Sequence, residues 1–438
     1  MSANPKPITA IVPLGGSGTR LYPLTLDTPK HLVPVANRTL LYAAAGEWAR
    51  QGVGDFILGA TGYSNRVASY RFFGHGGRFK ADLPGNTRVY YANYDDREFS
   101  RKGSGDVFLW ILGQYRSIIN GNDILSINGD NLSNVDLAEF YGMHKDKKAL
   151  LTIAVKGFEH EDPGLQGFGT VTFDPVTVRV SKFQEKSPKP ESRYANTAIC
   201  LFSPEIYKIA GSASMKKLLK ELDEEGKPLD VGGGLIPFLV DEGHDIFAYP
   251  ITSEWSDVGT PGSYRAATRD VLHGQYEFRF GDYQRRGNHL IHEDTIRLLG
   301  EGMERIKLGG RCIVGAGAII QEGAEIENSV IGDNSYIGKD AEIKGVTTLL
   351  PFAQIEKNCV LTDCIIGHNT VIGKGSVISS GSVIGDDLHI PEGTTVGIGQ
   401  RVAHADHEKA IREARVDSRP MYHIKGEIKG AGAIVFTE

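Results

Sequence analysis

The chain has 438 residues, 40% apolar and 23% charged, with a formal net charge of −6. This is long enough for two or three domains with sizeable cores, in an ordinary globular composition. The acidic balance excludes a general nucleic-acid binder, which carries a basic face, and no apolar run approaches the roughly 18 residues of a membrane span. MSANPKPIT lacks the apolar core of a signal peptide. Cys200, Cys312, Cys359 and Cys364 form no C-x-x-C pair; they read as buried free thiols of a protein in the reducing cytoplasm.

In chain order, the apolar run from Ile8 to Leu14 predicts a buried strand of a parallel sheet. It stops at Gly15, Gly16, Ser17 and Gly18, where backbone N–H groups can converge on a phosphate. Arg20 and Lys30 follow, and a triphosphate needs that pairing of backbone cradle and positive charge. The glycines spell neither G-x-G-x-x-G, since Leu21 takes the third place, nor G-x-x-x-x-G-K, so neither rival nucleotide motif is supported. Residues 39–52 have helical spacing and end at Gly52, and 55–60 reads as a second strand. Strand-like and helix-like stretches then alternate through 89–94, 107–119, 123–128, 135–144 and 149–155. The alternation predicts right-handed βαβ units and a mostly parallel, Rossmann-like α/β sheet, with ligands beyond the carboxyl ends of its strands.

Several later elements carry chemistry-bearing side chains. KGSGDVF (102–108) opens a helix, with Ser104 a candidate N-cap. ILSINGDNLSNVD (124–136) puts Asp130 at a strand's carboxyl end, as a turn former or a ligand for a hard cation. GFGTV (167–171), VSKFQEK (180–186) and YANTAI (194–199) follow, and EWSDVGTP (254–261) places Asp257 in a second strand-end loop. Two aspartates converging on one sheet edge form a credible metal site. The run 214–227 reads as a solvated amphipathic helix.

After a mixed connector, a sixfold aliphatic series begins: Ile313, Ile319, Glu325, Ile331, Ile337, Ile343, Leu349, Ile355 and Leu361. After one step of five it resumes at Ile366, Ile372, Ile378, Ile384, Ile390 and Val396, while Ile326 suggests a local slip beside Glu325. The last 35 residues, 404–438, return to helical spacing and end in an extended apolar piece, suited to capping an open end of the repeats or to packing on a neighbouring subunit.

The string from Gly15 to Asn37 resembles the signature GG-x-GTRL-x-PLT…PK-x-L-x-PV-x-N of the sugar-1-phosphate nucleotidyltransferases, and the hexads resemble a left-handed parallel β-helix. The resemblance implies a catalytic domain over 1–272, a connector over 273–310, a β-helix over 311–403 and a helix with tail over 404–438. It implies transfer from an NTP to a sugar 1-phosphate, glucose or mannose 1-phosphate first, with neither base nor sugar fixed. It places Arg20, Lys30, Asp130 and Asp257 in catalysis, with Mg2+ on the two aspartates. Leu14, Gly15, Gly16, Gly18, Thr19, Arg20, Gly103, Ser104 and Asp130 would bind nucleotide. Gly169, Glu185, Lys186 and Asn196 would bind the sugar phosphate. Near the base, Gly105 departs from the family's G-[TS]-A-x-A, and Ala198 stands where glycine is usual. A cytoplasmic homo-oligomer, dimer or tetramer, is implied, with no nucleic-acid or membrane partner. Two alternatives share the architecture. A regulatory or scaffold subunit would be expected to lose some of the four charged residues. A bifunctional acyltransferase would need a catalytic histidine, whereas His368 and His389 occupy outward hexad positions and the N-Y-D-G element is absent.

Overall fold

The computed structural model describes residues 7–16, 18–73, 87–94, 103–159, 162–276, 278, 280–416 and 419–438. Ser17 of the glycine-rich turn and Lys102 of the KGSGDVF stretch lie outside them. The chain divides into two compact units, Met1–Gly16 with Leu41–Asp257, and Ser17–Leu40 with Val258–Glu438.

The first unit is built on a nine-stranded sheet. Its strands are β1 (Ile8–Leu14), β2 (Asp55–Ala60), β3 (Arg88–Tyr91), β4 (Asp123–Ser126), β6 (Leu151–Gly157), β7 (Thr170–Phe173), β8 (Val180–Gln184), β9 (Tyr194–Phe202) and β10 (Ile246–Ile251); β5 (Asn131–Ser133) and β11 (Trp255–Asp257) form a separate pair. Strand β1 is buried along its whole length because it lies between parallel neighbours β2 and β4. The parallel expectation holds for β3-β2-β1-β4 and for β6 with β10. Strand β9 enters antiparallel between β4 and β6, and β7 and β8 extend that edge antiparallel, so the sheet is mixed. The predicted helices appear with shifted ends: Leu40–Arg50, Ser104–Gln114, Leu137–Asp146 and Ala213–Glu225. The last is bounded by the Ser212 N-cap and by Gly226 in the left-handed region, φ 65°. No helix among the described residues is long and apolar enough to cross a membrane.

The second unit is dominated by a three-sided stack of short parallel strands, the β-helix read from the hexads. One face runs through Ile313–Val314, Val330–Ile331, Thr348–Leu349, Ile365–Ile366, Val383–Ile384 and Arg401–His404. The other two run through Ile319–Ile320 to His389–Ile390 and through Glu325–Glu327 to Thr395–Val396. The inward column differs from the sequence reading in the first coil, where Val314, Ile320 and Ile326 enter the core. Ile319 is 46% exposed and Glu325 pairs with Lys307 outside. The slip suspected at Ile326 therefore affects the whole coil, and a second step of five leads from Ile326 to Ile331. The strands begin earlier than the hexads: His289–His292 pairs with Ile313–Val314, and Lys307–Gly309 with Glu325–Glu327.

Small residues after the inward aliphatic have a steric cause: a Cβ on Gly338 would lie 2.6 Å from the Lys357 backbone nitrogen of the next coil. Past the last coil, Ala433–Thr437 pairs antiparallel with Arg401–His404 and His423–Ile428 pairs with it in turn, so the tail covers that sheet edge. Segment 17–40 is held in the same unit: the Tyr264 hydroxyl donates to the Pro34 carbonyl (2.5 Å) and the Asn37 amide to that of Ile331 (2.9 Å). All four cysteines are buried and free, as expected.

Ile355 is fully buried in the middle of the column. Ile355→Ala should cost about 2–5 kcal/mol in denaturant unfolding of the coil transition; a loss below about 1 kcal/mol would mean the column is not close-packed.

Candidate active site

In the first unit, β1 delivers buried Leu14 to the carboxyl edge of the sheet and leaves Gly15 and Gly16 exposed just beyond it. Thr61, past the end of β2, donates its N–H to the Leu14 carbonyl (3.1 Å). The chain leaving β4 comes to the same place. A Cβ on Gly129 would stand 2.3 Å from Leu14 Cδ2, so any other residue here would have to displace the buried Leu14 methyl for this turn to lie against the end of β1. Half-buried Asp130 is the next residue.

Asp257 reaches the same edge through the β5–β11 pair, whose register sets Asp257 opposite Asn131 and Trp255 opposite Ser133. The two predicted aspartates are thus one residue apart across a two-stranded ribbon. Among the described residues no group of three or more His, Cys, Asp or Glu side chains forms a metal cage. A pair of carboxylates is the donor set that suits a hard, six-coordinate cation completed by phosphate oxygens and water.

The ribbon is tied to β9 through one acceptor. The Thr197 carbonyl accepts from Asn131 Nδ2 (2.8 Å) and from Trp255 Nε1 (3.2 Å). Here β9 bulges, its register against β6 shifting between Asn196 and Cys200. Ala198 takes a positive φ of 58° and donates its N–H to Asn196 Oδ1 (3.0 Å). The Asn196 side-chain oxygen is thereby engaged by the bulge.

Gly169, Glu185, Lys186 and Asn196 are brought together in the first unit. The Asn196 N–H donates to the Gly169 carbonyl (2.7 Å), and the Lys186 N–H to that of Phe168 (3.2 Å). A Cβ on Gly169 would meet Phe183 Cζ at 2.5 Å and Glu185 Oε2 at 2.7 Å, so the missing side chain makes the space that the carboxylate occupies. Burial raises the Glu185 carboxyl above the ordinary range; Lys186 opposes the shift and the charge of Asp230 adds to it. Lys186 Nζ stands 3.5 Å from Glu185 Oε1 and is mostly exposed.

Gly103 and Ser104 are described differently from the N-cap expectation. Gly103 is the cap residue, its N–H bound by Asp106 Oδ2 (2.9 Å), and Ser104 is already inside the helix. The Ser104 hydroxyl donates to Asp230 Oδ1 (3.2 Å) and accepts from the Val231 N–H (3.0 Å). A Cβ on Gly105 would lie 2.8 Å from Leu229 Cγ, which accounts for glycine in place of the usual alanine. Phe108 packs in the core against Phe202, ring centroids 4.8 Å apart.

In the second unit, Gly18 holds φ 63° and its carbonyl accepts from Thr25 Oγ1 (2.7 Å) and the Leu21 N–H (2.8 Å). Thr19 and Arg20 form the following short turn with Leu21, and Arg20 is exposed. Lys30 opens another short turn, Lys30–Leu32.

Residues 9–274 match the family model described as Nucleotidyl transferase. The chain belongs to the nucleotidyl transferase family. Residues 301–396 of this nucleotidyl transferase match the model of the EIF2B subunit epsilon LbH domain. It is 26% identical to a glucose-1-phosphate adenylyltransferase of Desulfitobacterium hafniense, over 65% of this chain and 69% of that one. It is 27% identical to a UTP–glucose-1-phosphate uridylyltransferase of Synechocystis, over 60% and 63% of the two chains. With a mannose-1-phosphate guanylyltransferase of Mycobacterium tuberculosis it shares 28% over 61% and 65%.

One segment was missed in the sequence. The π-helical turn Val231–Leu235, VGGGL, lies between Ser104 and Glu185. Asp230 holds Ser104, while Cβ atoms on Gly232 and Gly233 would lie 3.2 Å from Glu185 Oε2 and 3.5 Å from Glu185 Cγ. Three successive glycines, beginning two residues after an aspartate, were the available signal.

Gly169→Ala should destabilise by about 1–3 kcal/mol through overpacking against Phe183, measured by denaturant unfolding. An unchanged midpoint would show that Glu185 has room to withdraw.

Proposed function

We propose that this nucleotidyl transferase moves a nucleotidyl group from an NTP to a sugar 1-phosphate, with glucose and mannose 1-phosphate the leading acceptors. The observation that carries the reading is the register pairing Asp257 with Asn131, which sets two carboxylates at the edge where Gly15 and Gly16 leave β1. The Glu185, Lys186 and Asn196 cluster supports a sugar phosphate as acceptor, and the activities of the three relatives support the same class.

A sugar-phosphate oxygen attacks the α-phosphorus in line; the new P–O bond forms as the bond to the β-phosphate oxygen breaks and pyrophosphate leaves with the electron pair. Positioning and charge neutralisation dominate such a step. Leu14, Gly15, Gly16, Gly18 and Thr19 hold the nucleotide through the backbone, with Gly103 and Ser104 toward its base. Arg20 neutralises the β- and γ-phosphates, and Lys30 the charge developing on the leaving group. Lys186 holds the attacking phosphate, with Glu185 and Asn196 on sugar hydroxyls and Gly169 allowing the ring's approach. Asp130 and Asp257 would hold Mg2+, which when bound offsets phosphate charge.

We place the reaction in the cytoplasm, where the buried thiols stay reduced; burial pushes Cys200 and Cys364 up to about 12, so neither is a reactive thiolate. We read the protein as a homo-oligomer, dimer or tetramer, because Ile319, Tyr336 and Phe352 expose apolar surface on the coils. Light scattering of the full chain at micromolar concentration should report more than one copy, and a monomer would overturn that assignment.

A second reading, a non-catalytic subunit, is favoured by the match of residues 301–396 to the EIF2B epsilon domain. Against it stands the retention of Arg20, Lys30, Asp130 and Asp257 together. A pyrophosphate-release panel of every ribonucleoside triphosphate and dTTP against glucose, mannose, galactose and N-acetylglucosamine 1-phosphates separates the two. Release with one pair supports the enzyme; release with none selects the second reading.

For the active pair, Asp130→Asn and Asp257→Asn should each lower kcat by orders of magnitude with thermal stability nearly unchanged. Turnover retained in both would remove the metal assignment. Lys186→Ala should raise KM for the sugar phosphate by about tenfold or more, the loss of one charge-assisted hydrogen bond, and leave KM for NTP nearly unchanged. Equal effects on both substrates would reassign Lys186.

A further inference from the structure

The segment after the last coil makes a set of contacts that neither coil stacking nor the reaction described above uses. Arg401, only 6% exposed, directs Nη1 to the main-chain carbonyls of Arg20 (3.1 Å) and Tyr22 (2.6 Å). Its Nη2 is ion-paired with the Glu438 side chain, and its guanidinium lies 5.0 Å from the Tyr422 ring centre. The Tyr422 hydroxyl donates to the Thr19 carbonyl (2.5 Å) and accepts from Arg401 (3.0 Å). Beneath these polar contacts the Tyr22 ring stacks on Tyr422, centroids 6.1 Å apart, in an apolar cluster with Ala403, Ile411, Ala414, Ile434 and Phe436. His407 pairs with Asp27 at 2.9 Å, further along the same segment.

Three carbonyls within four residues, at Thr19, Arg20 and Tyr22, are thus captured by two side chains from the other end of the sequence. A buried guanidinium is usually satisfied by carboxylates; here one arm is committed to the loop backbone. Because peptide units are planar, fixing the carbonyls of Thr19 and Arg20 fixes the orientation of the peptides flanking the Arg20 Cα, and so the direction in which its side chain leaves. That side chain itself is exposed.

We propose that Arg401 and Tyr422 are positioning residues for nucleotide binding: they pre-order the loop that carries Thr19 and Arg20, and the tail is a working part of the site. This rests on the assignment of Thr19 and Arg20 to the NTP. Pre-ordering spares the loop its conformational entropy cost at the moment of binding, so its loss weakens the nucleotide and not the acceptor.

The test uses the whole chain with Tyr422→Phe, which keeps the ring and loses the hydroxyl, and Arg401→Lys, which keeps the charge but with a single nitrogen cannot serve both the loop carbonyls and Glu438. For the NTP and sugar phosphate that release most pyrophosphate, each variant should raise KM for NTP by about fivefold, the worth of one net hydrogen bond. KM for the sugar phosphate should stay within about twofold, and Tyr422→Phe should be milder than Tyr422→Ala. Hydrogen exchange should quicken at the amides of residues 18–26 and remain unchanged in Asp55–Ala60. Equal rises in both KM values, or no rise in either, would overturn the proposal. If the wild type releases no pyrophosphate with any pair, the assignment of the reaction fails by itself. Exchange then decides the anchor alone: faster exchange at 18–26 in Tyr422→Phe supports it, and unchanged exchange overturns it.

Discussion

Between the end of β1 and the turn at Gly129 there is no space for a methyl group, since a Cβ there would stand 2.3 Å from Leu14 Cδ2 and 3.2 Å from Leu41 Cδ1. Strands β1 and β4 are parallel neighbours, so their carboxyl ends finish at the same side of the sheet. The close approach turns that coincidence into a site: Asp130 leaves a turn already lying against the residue that precedes Gly15. Asp257 is then fixed by pairing across β5 and β11, and both strands are secured to β9 through the Thr197 carbonyl. Each link is a backbone register or a buried hydrogen bond, which hold a carboxylate more firmly than a flexible side-chain stem.

The division of the chain falls inside the glycine-rich turn, with Gly16 in one compact unit and Ser17 in the other. The residues of a single sequence signature are therefore stabilised by different bodies. Gly15 and Gly16 take their position from the sheet. Gly18, Thr19, Arg20 and Tyr22 take theirs from Thr25, Tyr422 and Arg401. A sequence signature carries no information about which core supports each of its residues.

Much of the architecture was legible because it follows from periodicity. The β1 run, the alternation of strands and helices, and the hexads all announced themselves through the spacing of apolar residues. The first coil was misphased because both Ile319 and Ile320 are aliphatic, and only the pairing of Ile319 with Tyr336 settles which faces inward. The antiparallel entry of β9 was not legible, since a buried strand reads the same in either direction. Among the candidate site residues, charged side chains stood out in the sequence. Those that act by absence did not: VGGGL carries no charge, and its glycines matter only once Glu185 is seen against them. The anchoring by Arg401 was equally hidden, since a contact between residues 381 positions apart leaves no local pattern.

The element nearest the expected base position bears on specificity in a similar way. Gly105 differs from the family's alanine, and such a difference invites an explanation in terms of the base. The structure supplies another. Leu229 occupies the space that an alanine methyl at position 105 would need. This is a packing substitution, compensated within the protein interior, and the neighbouring Ser104 hydroxyl is committed to Asp230 and Val231. The choice of base is therefore not written in this departure. Discrimination between bases needs polar groups that face the ligand and would be left unpaired by the wrong one, and at this helix start the side-chain groups that could do so are already turned toward the Asp230 loop.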